Sequence, residues 1–228
     1  MTDIKSMFSI ITDKQFDLFE TYFKELVSYN EKVNLTAITE KEDVYIKHFY
    51  DSCLGCEFVP TNAKVVDVGT GAGFPGVPIK IARDDIELTL VDSLNKRIVF
   101  LNELKQKLNI GYSTFHARAE DFCSNASNRE SFDICVSRAV AKLNTLAEYC
   151  LPLVKIGGRF IAYKSGEIEA ELEESAKAIN ILGGQVEQIK KIDLPNNKGS
   201  RTLIIIKKIK NTPKIYPRNK NLPKTKPI

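Results

Sequence analysis

A glycine-rich segment directly after a short β-branched run constrains the fold of this chain more than any other feature. The run Lys64-Val65-Val66-Asp67-Val68 has the residue types of a buried strand, and Gly69-Thr70-Gly71-Ala72-Gly73-Phe74-Pro75-Gly76 follows it at once. Helical spacing begins at Val77, and Pro75 and Pro78 stand where a first helical turn tolerates proline. This order of strand, glycine turn and helix predicts a βα unit of the kind that builds parallel sheets.

Further β-rich runs alternate with helical patterns after this unit. Strands are predicted over residues 87–92, 114–117, 132–137 and 159–163, and helices over residues 96–108, 143–153 and 167–182. Two final runs, residues 185–194 and 201–209, are separated by a loop rather than a helix, so they should pair as an antiparallel hairpin. The sequence therefore predicts an α/β fold whose seven-stranded sheet is mostly parallel and ends in an antiparallel hairpin.

The first 58 residues follow a helical pattern instead. Thr12-Asp13-Lys14-Gln15 has the form of a capping box, and apolar residues then recur at helical spacing. A second helical stretch is predicted over residues 44–54, with His48 near one of its faces. We predict a helical cap over residues 1–58, an α/β domain over residues 59–210, and a basic, Pro-rich tail over residues 211–228 that is extended and has no core of its own.

Charge is distributed unevenly along the chain, although the net charge is only +4. Residues 190–228 contain 12 Lys and Arg and one acidic residue, Asp193, so their net charge is +11. The first 189 residues contain 21 Lys and Arg and 28 acidic residues, so their net charge is −7. A basic C-terminal fifth on an acidic body indicates a polyanionic partner such as a nucleic acid.

Composition excludes several classes of protein. An apolar share of 43% is too high for a wholly disordered chain, and no run approaches the roughly 20 apolar residues of a membrane span. No N-terminal segment resembles a secretory signal, so the scattered Cys residues are predicted to be buried thiols in a reducing compartment. His48, Cys53 and Cys56 lack a second Cys pair at zinc-site spacing. We predict a soluble, cytoplasmic protein without a bound metal.

The glycine loop and a downstream acid indicate a nucleotide-containing ligand. Gly71-Ala72-Gly73-Phe74-Pro75-Gly76 matches G-x-G-x-x-G, in which glycines let a ligand approach the backbone, although some tight strand-to-helix turns share the pattern without binding anything. Asp92 closes the next strand 21 positions after Gly71, where a carboxylate accepts hydrogen bonds from ribose hydroxyls or caps the following helix. Nicotinamide dinucleotides and S-adenosylmethionine both fit these residues.

Asp67 favours S-adenosylmethionine, because a carboxylate beside the loop opposes a pyrophosphate but suits a cationic aminoacyl-sulfonium group. Asp67-Val68-Gly69-Thr70-Gly71-Ala72-Gly73 resembles motif I of the class I methyltransferases, which have a Rossmann-like fold. Ala119-Glu120-Asp121 follows the third predicted strand, where such enzymes contact the adenine; otherwise it would be a surface acid pair. The sequence therefore favours a methyltransferase over a nicotinamide-dependent oxidoreductase, which stays an alternative.

Motifs that the sequence lacks narrow the methyl acceptor. There is no Asn/Asp-Pro-Pro-Tyr motif for methylation of an exocyclic amine, and no Pro-Cys dipeptide for covalent attack on a pyrimidine carbon. A ring nitrogen with a free lone pair, such as guanine N7, needs neither, so the protein has chiefly to align the reactants. Methyltransferases for small molecules or proteins, and a non-enzymatic RNA-binding module, remain alternatives.

Beyond these motifs, nearly the whole chain resembles the bacterial small-subunit ribosomal RNA guanine-N7 methyltransferases, the RsmG or GidB family. The resembling segments are Asn34-Leu35-Thr36, His48-Phe49-Tyr50-Asp51-Ser52, residues 67–78, residues 90–97, Arg118-Ala119-Glu120-Asp121, Ser137-Arg138-Ala139-Val140, Tyr163-Lys164, Arg201 and Tyr216-Pro217-Arg218. The chain departs from the family at Asn219-Lys220-Asn221, where a Lys and a Gly are more usual, and at Cys53, where an aliphatic residue is more usual.

The resemblance implies transfer of the methyl group of S-adenosylmethionine to N7 of one guanine in the decoding region of 16S ribosomal RNA. It further implies that a monomeric enzyme acts on a small-subunit particle. It implies that the cofactor-binding residues include Gly69, Phe74, Ala119, Glu120 and Arg138. Gly71 and Asp92 join this set through the argument above.

The resemblance also assigns roles outside the cofactor site. Arg118 and Arg201 are implied as catalytic, RNA-facing residues near the methyl group, and Lys164 is a further candidate. The alternative for each is a surface or carboxylate-paired cation. His48 and Asp51 are implied as hydrogen-bonding links between the helical cap and the α/β domain.

Overall fold

The predicted β-rich runs form a seven-stranded sheet in the computed structural model, which describes residues 8, 11–138 and 141–228. The strands are β1 (Lys64–Val68), β2 (Glu87–Asp92), β3 (Ser113–His116), β4 (Phe132–Arg138), β5 (Val154–Lys164), β6 (Gly184–Asp193) and β7 (Ser200–Lys208). They lie in the order β3-β2-β1-β4-β5-β7-β6. Neighbouring strands from β3 to β5 are parallel, and β7 is antiparallel to both β5 and β6. The predicted fold class is confirmed.

Helices cover both faces of the sheet. They are α1 (Asp13–Asn30), α2 (Lys41–Val44), α3 (Asp51–Cys53), α4 (Gly76–Ala82), α5 (Asn95–Leu108), α6 (Ala119–Ser124), α7 (Leu143–Cys150), α8 (Glu169–Ile181) and α9 (Leu222–Thr225). Alternate strand residues enter different apolar clusters: Val65 packs with α1, α4 and α5, whereas Val66 packs with α6, α7 and α8. Because both faces are covered, the central strands are apolar at nearly every position.

The N-terminal helices pack onto one face of the sheet. Thr12 caps α1 as predicted: its Oγ1 accepts a hydrogen bond from the Gln15 backbone, and the Gln15 side chain accepts one from the Thr12 backbone. The Gln15 side chain also donates to the carbonyl of Ile81 at 2.8 Å. Phe19 of α1 shares an apolar cluster with Leu90 of β2, so the helical segment and the sheet share a core. The boundary at residue 58 stays a prediction about chain organisation.

A π-helical turn, Tyr45–Tyr50, connects α2 to α3 without a break. Residues 44–53 are therefore helical, one residue fewer than predicted, and the turn is wider than an α-helical one. Such turns are rare and occur frequently at functional sites. It leads into Asp51 and Ser52, which are both buried.

Strand β5 is longer than predicted: it starts at Val154, whereas the predicted strand begins at Arg159. The register between β4 and β5 shifts there, from Phe132 opposite Val154 to Ile134 opposite Arg159. Gly157, with φ of +88°, lies in the bulge that results. The strand therefore continues through a bulge before the predicted residues.

The C-terminal segment, residues 211–228, folds back onto α7, so the prediction of an extended tail is wrong. Arg218 forms an ion pair with Glu148 of α7 at 2.7 Å. Thr145 of α7 donates from Oγ1 to the carbonyl of Pro223 at 2.9 Å. The segment has no helix or strand before the short α9, so these partners on α7 hold it in place.

Parts of the sequence predictions concern residues outside the described ranges. These are Ala139 and Val140 of one family motif and nearly all of the first ten residues of the predicted helical cap. Among the described residues, none of the helices combines the length and the apolar character that crossing a bilayer requires. Over the same residues, no cluster of His, Cys, Asp and Glu side chains suits a metal ion. All five Cys are buried and free of disulfides.

Candidate functional site

The candidate site lies at the carboxyl ends of β1, β2 and β4. Gly69 directly follows β1, Asp92 ends β2 and Arg138 ends β4. Strand order reverses between β1 and β4, since β2 and β3 lie to one side and β5 to the other. In doubly wound sheets, ligands bind in the crevice at this reversal.

The glycine loop leaves open space above its backbone. The N–H groups of Gly69 and Thr70 donate to the carbonyl of Val91 at 2.9 and 3.1 Å, which ties the loop to β2. Gly71 has φ of +61°, and a Cβ placed on it would meet no atom within 4 Å. Gly73 differs, because a Cβ there would lie 2.6 Å from the Tyr22 hydroxyl oxygen. Gly73 thus permits packing, whereas Gly71 keeps a space accessible from the cavity.

Asp67 lies beneath the loop and organises it. Its Oδ2 accepts hydrogen bonds from Thr70 Oγ1 at 2.7 Å and from the Gly76 backbone at 2.8 Å. Its Oδ1 is buried and has no hydrogen-bond partner among the described residues. Burial raises the pKa of Asp67 to about 7, against the lowering effect of these hydrogen bonds and of Arg138. A cation bound nearby would favour the ionised form.

Asp92 combines a structural role with exposure to the site. Its Oδ2 accepts from the Gly71 backbone at 2.9 Å, and its Oδ1 accepts from the Leu94 backbone at 2.9 Å, just before α5. Arg97 pairs with Oδ2 at 3.1 Å. The carboxylate therefore joins the glycine loop to the start of α5, and it also lines the cavities described next.

Two cavities meet at this position. The larger has a volume of about 420 Å³ and the smaller a volume of about 220 Å³. Gly69, Asp92 and Ser93 line both, so the two spaces adjoin at the end of β2. Each residue predicted to bind the cofactor lines at least one of them: Gly69, Gly71, Phe74, Asp92, Ala119, Glu120 and Arg138. The structure thus brings all seven together around an elongated space of the size that suits a small ligand.

The ring of Phe74 contacts a histidine and an arginine at the larger cavity. The His48 ring stacks on Phe74 with centroids 4.5 Å apart, and the Arg138 guanidinium lies 5.0 Å from the same ring's centroid. Burial and the charge of Arg138 lower the pKa of His48 to about 3. His48 is therefore neutral at physiological pH, and its Nε2 lies 2.9 Å from the Thr36 hydroxyl.

Asp51 connects the helical segment to two strands. It accepts from Arg138 of β4 at 2.7 Å and from Arg201 of β7 at 2.6 Å, one oxygen for each. The Asp51 side chain is fully buried, and the side chains of Arg138 and Arg201 are 10% and 17% exposed. The contacts agree with the predicted link between cap and α/β domain, and His48 adds a 3.3 Å contact to Arg138.

The three predicted RNA-facing cations have different environments. Arg118 precedes α6 at the smaller cavity, and its side chain is 63% exposed. Arg201 is paired with Asp51, as above, and Lys164 donates to Glu171 at 2.6 Å and to the carbonyl of Ala141 at 2.9 Å. Arg118 is thus the most available of the three for an external anion, and contact with RNA stays a prediction for all three.

Sequence reasoning missed other residues that line the cavities. Thr36 and Arg97 line the larger one, and Tyr149, Asn221 and Lys224 line the smaller one. Thr36 and Arg97 stand within segments that carry the family resemblance, so a signal for them was present. Asn221 and Lys224 had no such signal, because the tail was predicted to be extended and without a core.

Comparisons with known proteins agree over most of the chain. The family model described as GidB, rRNA small subunit methyltransferase G, matches residues 15–203. A Desulforamulus reducens protein named ribosomal RNA small subunit methyltransferase G is 49% identical and covers 98% of this chain and 95% of its own. Proteins of the same name from Staphylococcus carnosus and Bacillus subtilis are 50% and 49% identical; each match covers 96% of this chain and 92% of the relative.

Solved structures show the same fold at low sequence identity. A ribosomal protein L11 methylase from Lactobacillus delbrueckii subsp. bulgaricus has a TM-score of 0.55 at 17% identity, covering 72% of this chain and 79% of its own. P. horikoshii TYW2 in complex with MeSAdo has a TM-score of 0.56 at 14% identity, covering 70% of this chain and 62% of its own. The fold is that of class I methyltransferases. With the family match and the near-full-length relatives, these findings show that the chain belongs to the GidB family of small-subunit rRNA methyltransferases.

Proposed function

We propose that this enzyme transfers the methyl group of S-adenosylmethionine to N7 of a guanine in 16S ribosomal RNA. The observation that carries the proposal is the convergence of all seven predicted cofactor residues on two adjoining cavities at the strand-order reversal. The exposed Arg118 at the smaller cavity supplies a contact for a polyanion. The names of the relatives, ribosomal RNA small subunit methyltransferase G, support the substrate class.

The chain's residues fit S-adenosylmethionine at three points. The open space above Gly71 admits a ligand against the backbone. The buried Oδ1 of Asp67 has no hydrogen-bond partner among the described residues, so a carboxyl group that can ionise lies beside that loop and suits a cation. Asp92 lies where the cavities adjoin and offers a carboxylate to ribose hydroxyls. The larger cavity has a polar end at Arg138, and the smaller cavity has a less polar end at Ala119.

When bound, S-adenosylmethionine supplies an electrophilic methyl group on a positively charged sulfonium. The protein's part is alignment. Arg138, held by Asp51, offers its guanidinium to the carboxylate of the methionine moiety, since a planar fork matches a carboxylate. Phe74, in contact with His48 and Arg138, supplies an apolar surface at that end of the cavity.

No general base is required of the protein. N7 of guanine carries a free lone pair and no proton, so methylation there releases no proton from the nitrogen. His48, neutral across the physiological range because its pKa is lowered to about 3, acts as a packing and hydrogen-bonding group. Correct placement of the two reactants then provides most of the rate enhancement.

We further propose that the enzyme acts as a cytoplasmic monomer on an assembled small ribosomal subunit. Arg118 and Arg201 would lie near the methyl group, with Arg118 contacting RNA directly and Arg201 positioned by Asp51. Lys164 would lie at the edge of that surface. The net charge of +11 over residues 190–228 supports a polyanionic substrate.

The test is transfer of a labelled methyl group to small subunits that lack the modification, followed by nucleoside analysis. Label should appear in 7-methylguanosine alone, and Arg118→Ala should reduce the rate without changing cofactor affinity. Lys14→Ala is the matched control, because Lys14 is exposed on α1 and lines neither cavity. Label in another nucleoside would overturn the acceptor assignment, and equal labelling of a protein would overturn the substrate class.

A further inference from the structure

Contacts with Arg129, Glu148 and Thr145 are among those that fix the C-terminal segment to the body. Arg129 donates to the carbonyls of Thr212 and Tyr216 at 2.8 and 2.7 Å. Arg218 pairs with Glu148 through two hydrogen bonds, Nε to Oε1 at 2.9 Å and Nη2 to Oε2 at 2.7 Å. The Glu148 side chain is only 1% exposed, so this is a buried, charge-assisted contact and not a solvent-exposed ion pair.

The contact with Thr145 lies at the smaller cavity itself. Thr145 lines that cavity and donates to the carbonyl of the buried Pro223 at 2.9 Å. On either side of Pro223, Asn221 and Lys224 line the cavity together with Ala119 and Glu120. The last turn of the chain, α9, therefore forms part of the wall at the end of the cavity farther from Arg138.

We propose that this segment forms the outer wall of the adenine subsite, with Asn221 and Lys224 making polar contacts to the adenine ring. The inference rests on the proposed use of S-adenosylmethionine. A side-chain amide has both a donor and an acceptor, which match the amino group and ring nitrogens of adenine, and an ammonium donates to a ring nitrogen. Val68, Val91 and Tyr149 supply the apolar surface that the faces of a heteroaromatic ring require.

The same observations argue against the segment acting only as an RNA contact. Its one arginine, Arg218, is directed inward to Glu148. Asn221 is only partly exposed, and it lines the smaller cavity. Asp92 and Ser93 line that cavity as well as the larger one. Because this wall adjoins the proposed ribose position, it faces the nucleoside part of the cofactor rather than the RNA.

The experiment measures the dissociation constant of S-adenosylhomocysteine by calorimetry on the full-length protein, with 5′-methylthioadenosine as a nucleoside-only probe. Asn221→Gly removes the amide but permits the φ of +62°, and Lys224→Met removes the charge but keeps the length of the side chain. Each lost hydrogen bond should weaken binding of both probes about three- to tenfold, and the double variant by about tenfold or more. Lys226→Met, exposed in the same segment but not lining the cavity, should stay within about twofold of wild type.

A variant outside the cavity tests whether attachment of the segment to the body is needed for cofactor binding. Arg218→Met should loosen the attachment to Glu148, because it removes both side-chain hydrogen bonds and leaves only the backbone N–H bond at 2.8 Å. Both probes should then bind more weakly, although Arg218 does not line the cavity. Unchanged affinity in the double variant, with wild-type binding intact, would overturn this inference alone. A raised KM for RNA with unchanged probe affinity would overturn it in favour of an RNA contact. Failure of the wild-type protein to bind either probe would overturn the proposed function and this inference with it.

Discussion

Replacing Asp51 with Asn tests the contact that joins the helical segment to the sheet. Asn has nearly the same shape, but one carboxylate oxygen becomes an NH2 group that faces an arginine donor. In the wild type, Arg138 and Arg201 each bond one oxygen of this fully buried carboxylate, at 2.7 and 2.6 Å. The substitution therefore removes the shared counter-ion of two largely buried guanidinium groups and places donor against donor.

The expected loss of stability follows from this burial. Removing one partner of a buried ion pair costs about 3–5 kcal/mol, because the remaining charge is left uncompensated. The arginine side chains are 10% and 17% exposed, so some hydration reaches them and the lower end, about 3 kcal/mol, applies. With a urea m-value of about 3 kcal/mol/M for a chain of this length, the unfolding midpoint should fall by about 1 M.

Equilibrium urea unfolding of Asp51→Asn, followed by circular dichroism, is the assay. Asp17→Asn on the exposed face of α1 is the matched control and should stay within about 0.5 kcal/mol of wild type. A cycle with Arg201→Met should show that the double variant loses less stability than the two single losses combined, since the pair shares one interaction. A loss below about 1 kcal/mol for Asp51→Asn, or an additive cycle, would refute the reasoning.

Three further predictions concern the cofactor and RNA. Gly71→Val should abolish cofactor binding measured by calorimetry, because it places a side chain in the open space at φ of +61°. Gly111→Val, also in open space but lining neither cavity, should not; retained affinity in Gly71→Val would contradict the loop assignment. Because burial raises the pKa of Asp67 to about 7, a cationic ligand that favours the carboxylate should release a proton on binding. Affinity for S-adenosylmethionine should then fall about fivefold from pH 7 to pH 6 in wild type and stay flat in Asp67→Asn; a flat wild-type profile would count against it. Arg118→Ala should reduce the salt dependence of RNA binding by about one unit of logarithmic slope and leave the cofactor dissociation constant unchanged, and an unaltered slope would exclude a phosphate contact.

Local patterns in the sequence predicted most of the fold. The β-branched runs, the glycine loop and the capping box at Thr12 each depend on residues close together in the chain, and the structure has each of them. Gly71 and Asp92 could be predicted from the glycine loop and the strand end that follows it, whereas the other five cofactor residues were implied by the family resemblance. All seven lie at or just after the ends of β1, β2, β3 and β4. A parallel sheet brings those ends to one edge, which explains why the seven residues surround the same cavities.

Features that depend on distant partners could not be predicted. The ion pair between Asp51 and Arg201 joins residues 150 positions apart, and that between Glu148 and Arg218 joins residues 70 positions apart. Composition alone predicted an extended tail, because Pro and Lys do not form a core, but an acid and a hydroxyl on α7 bind it instead. The wall formed by Asn221 and Lys224 depends on that docking, so it could not be predicted either.

The uneven charge of the chain has a second explanation in the structure. Of the 12 Lys and Arg in residues 190–228, six pair with acids from the first 189 residues. Much of the basic C-terminal fifth therefore neutralises the acidic body and fastens β6, β7 and the tail to it. The other six have no carboxylate within ion-pair distance among the described residues: Lys207, Lys210, Lys214, Lys220, Lys224 and Lys226. Half of the charge that indicated a polyanion is used internally. RNA attraction should therefore depend on Arg118 and on the five of these lysines that do not line the cofactor cavity, since only Lys224 of the six lines it.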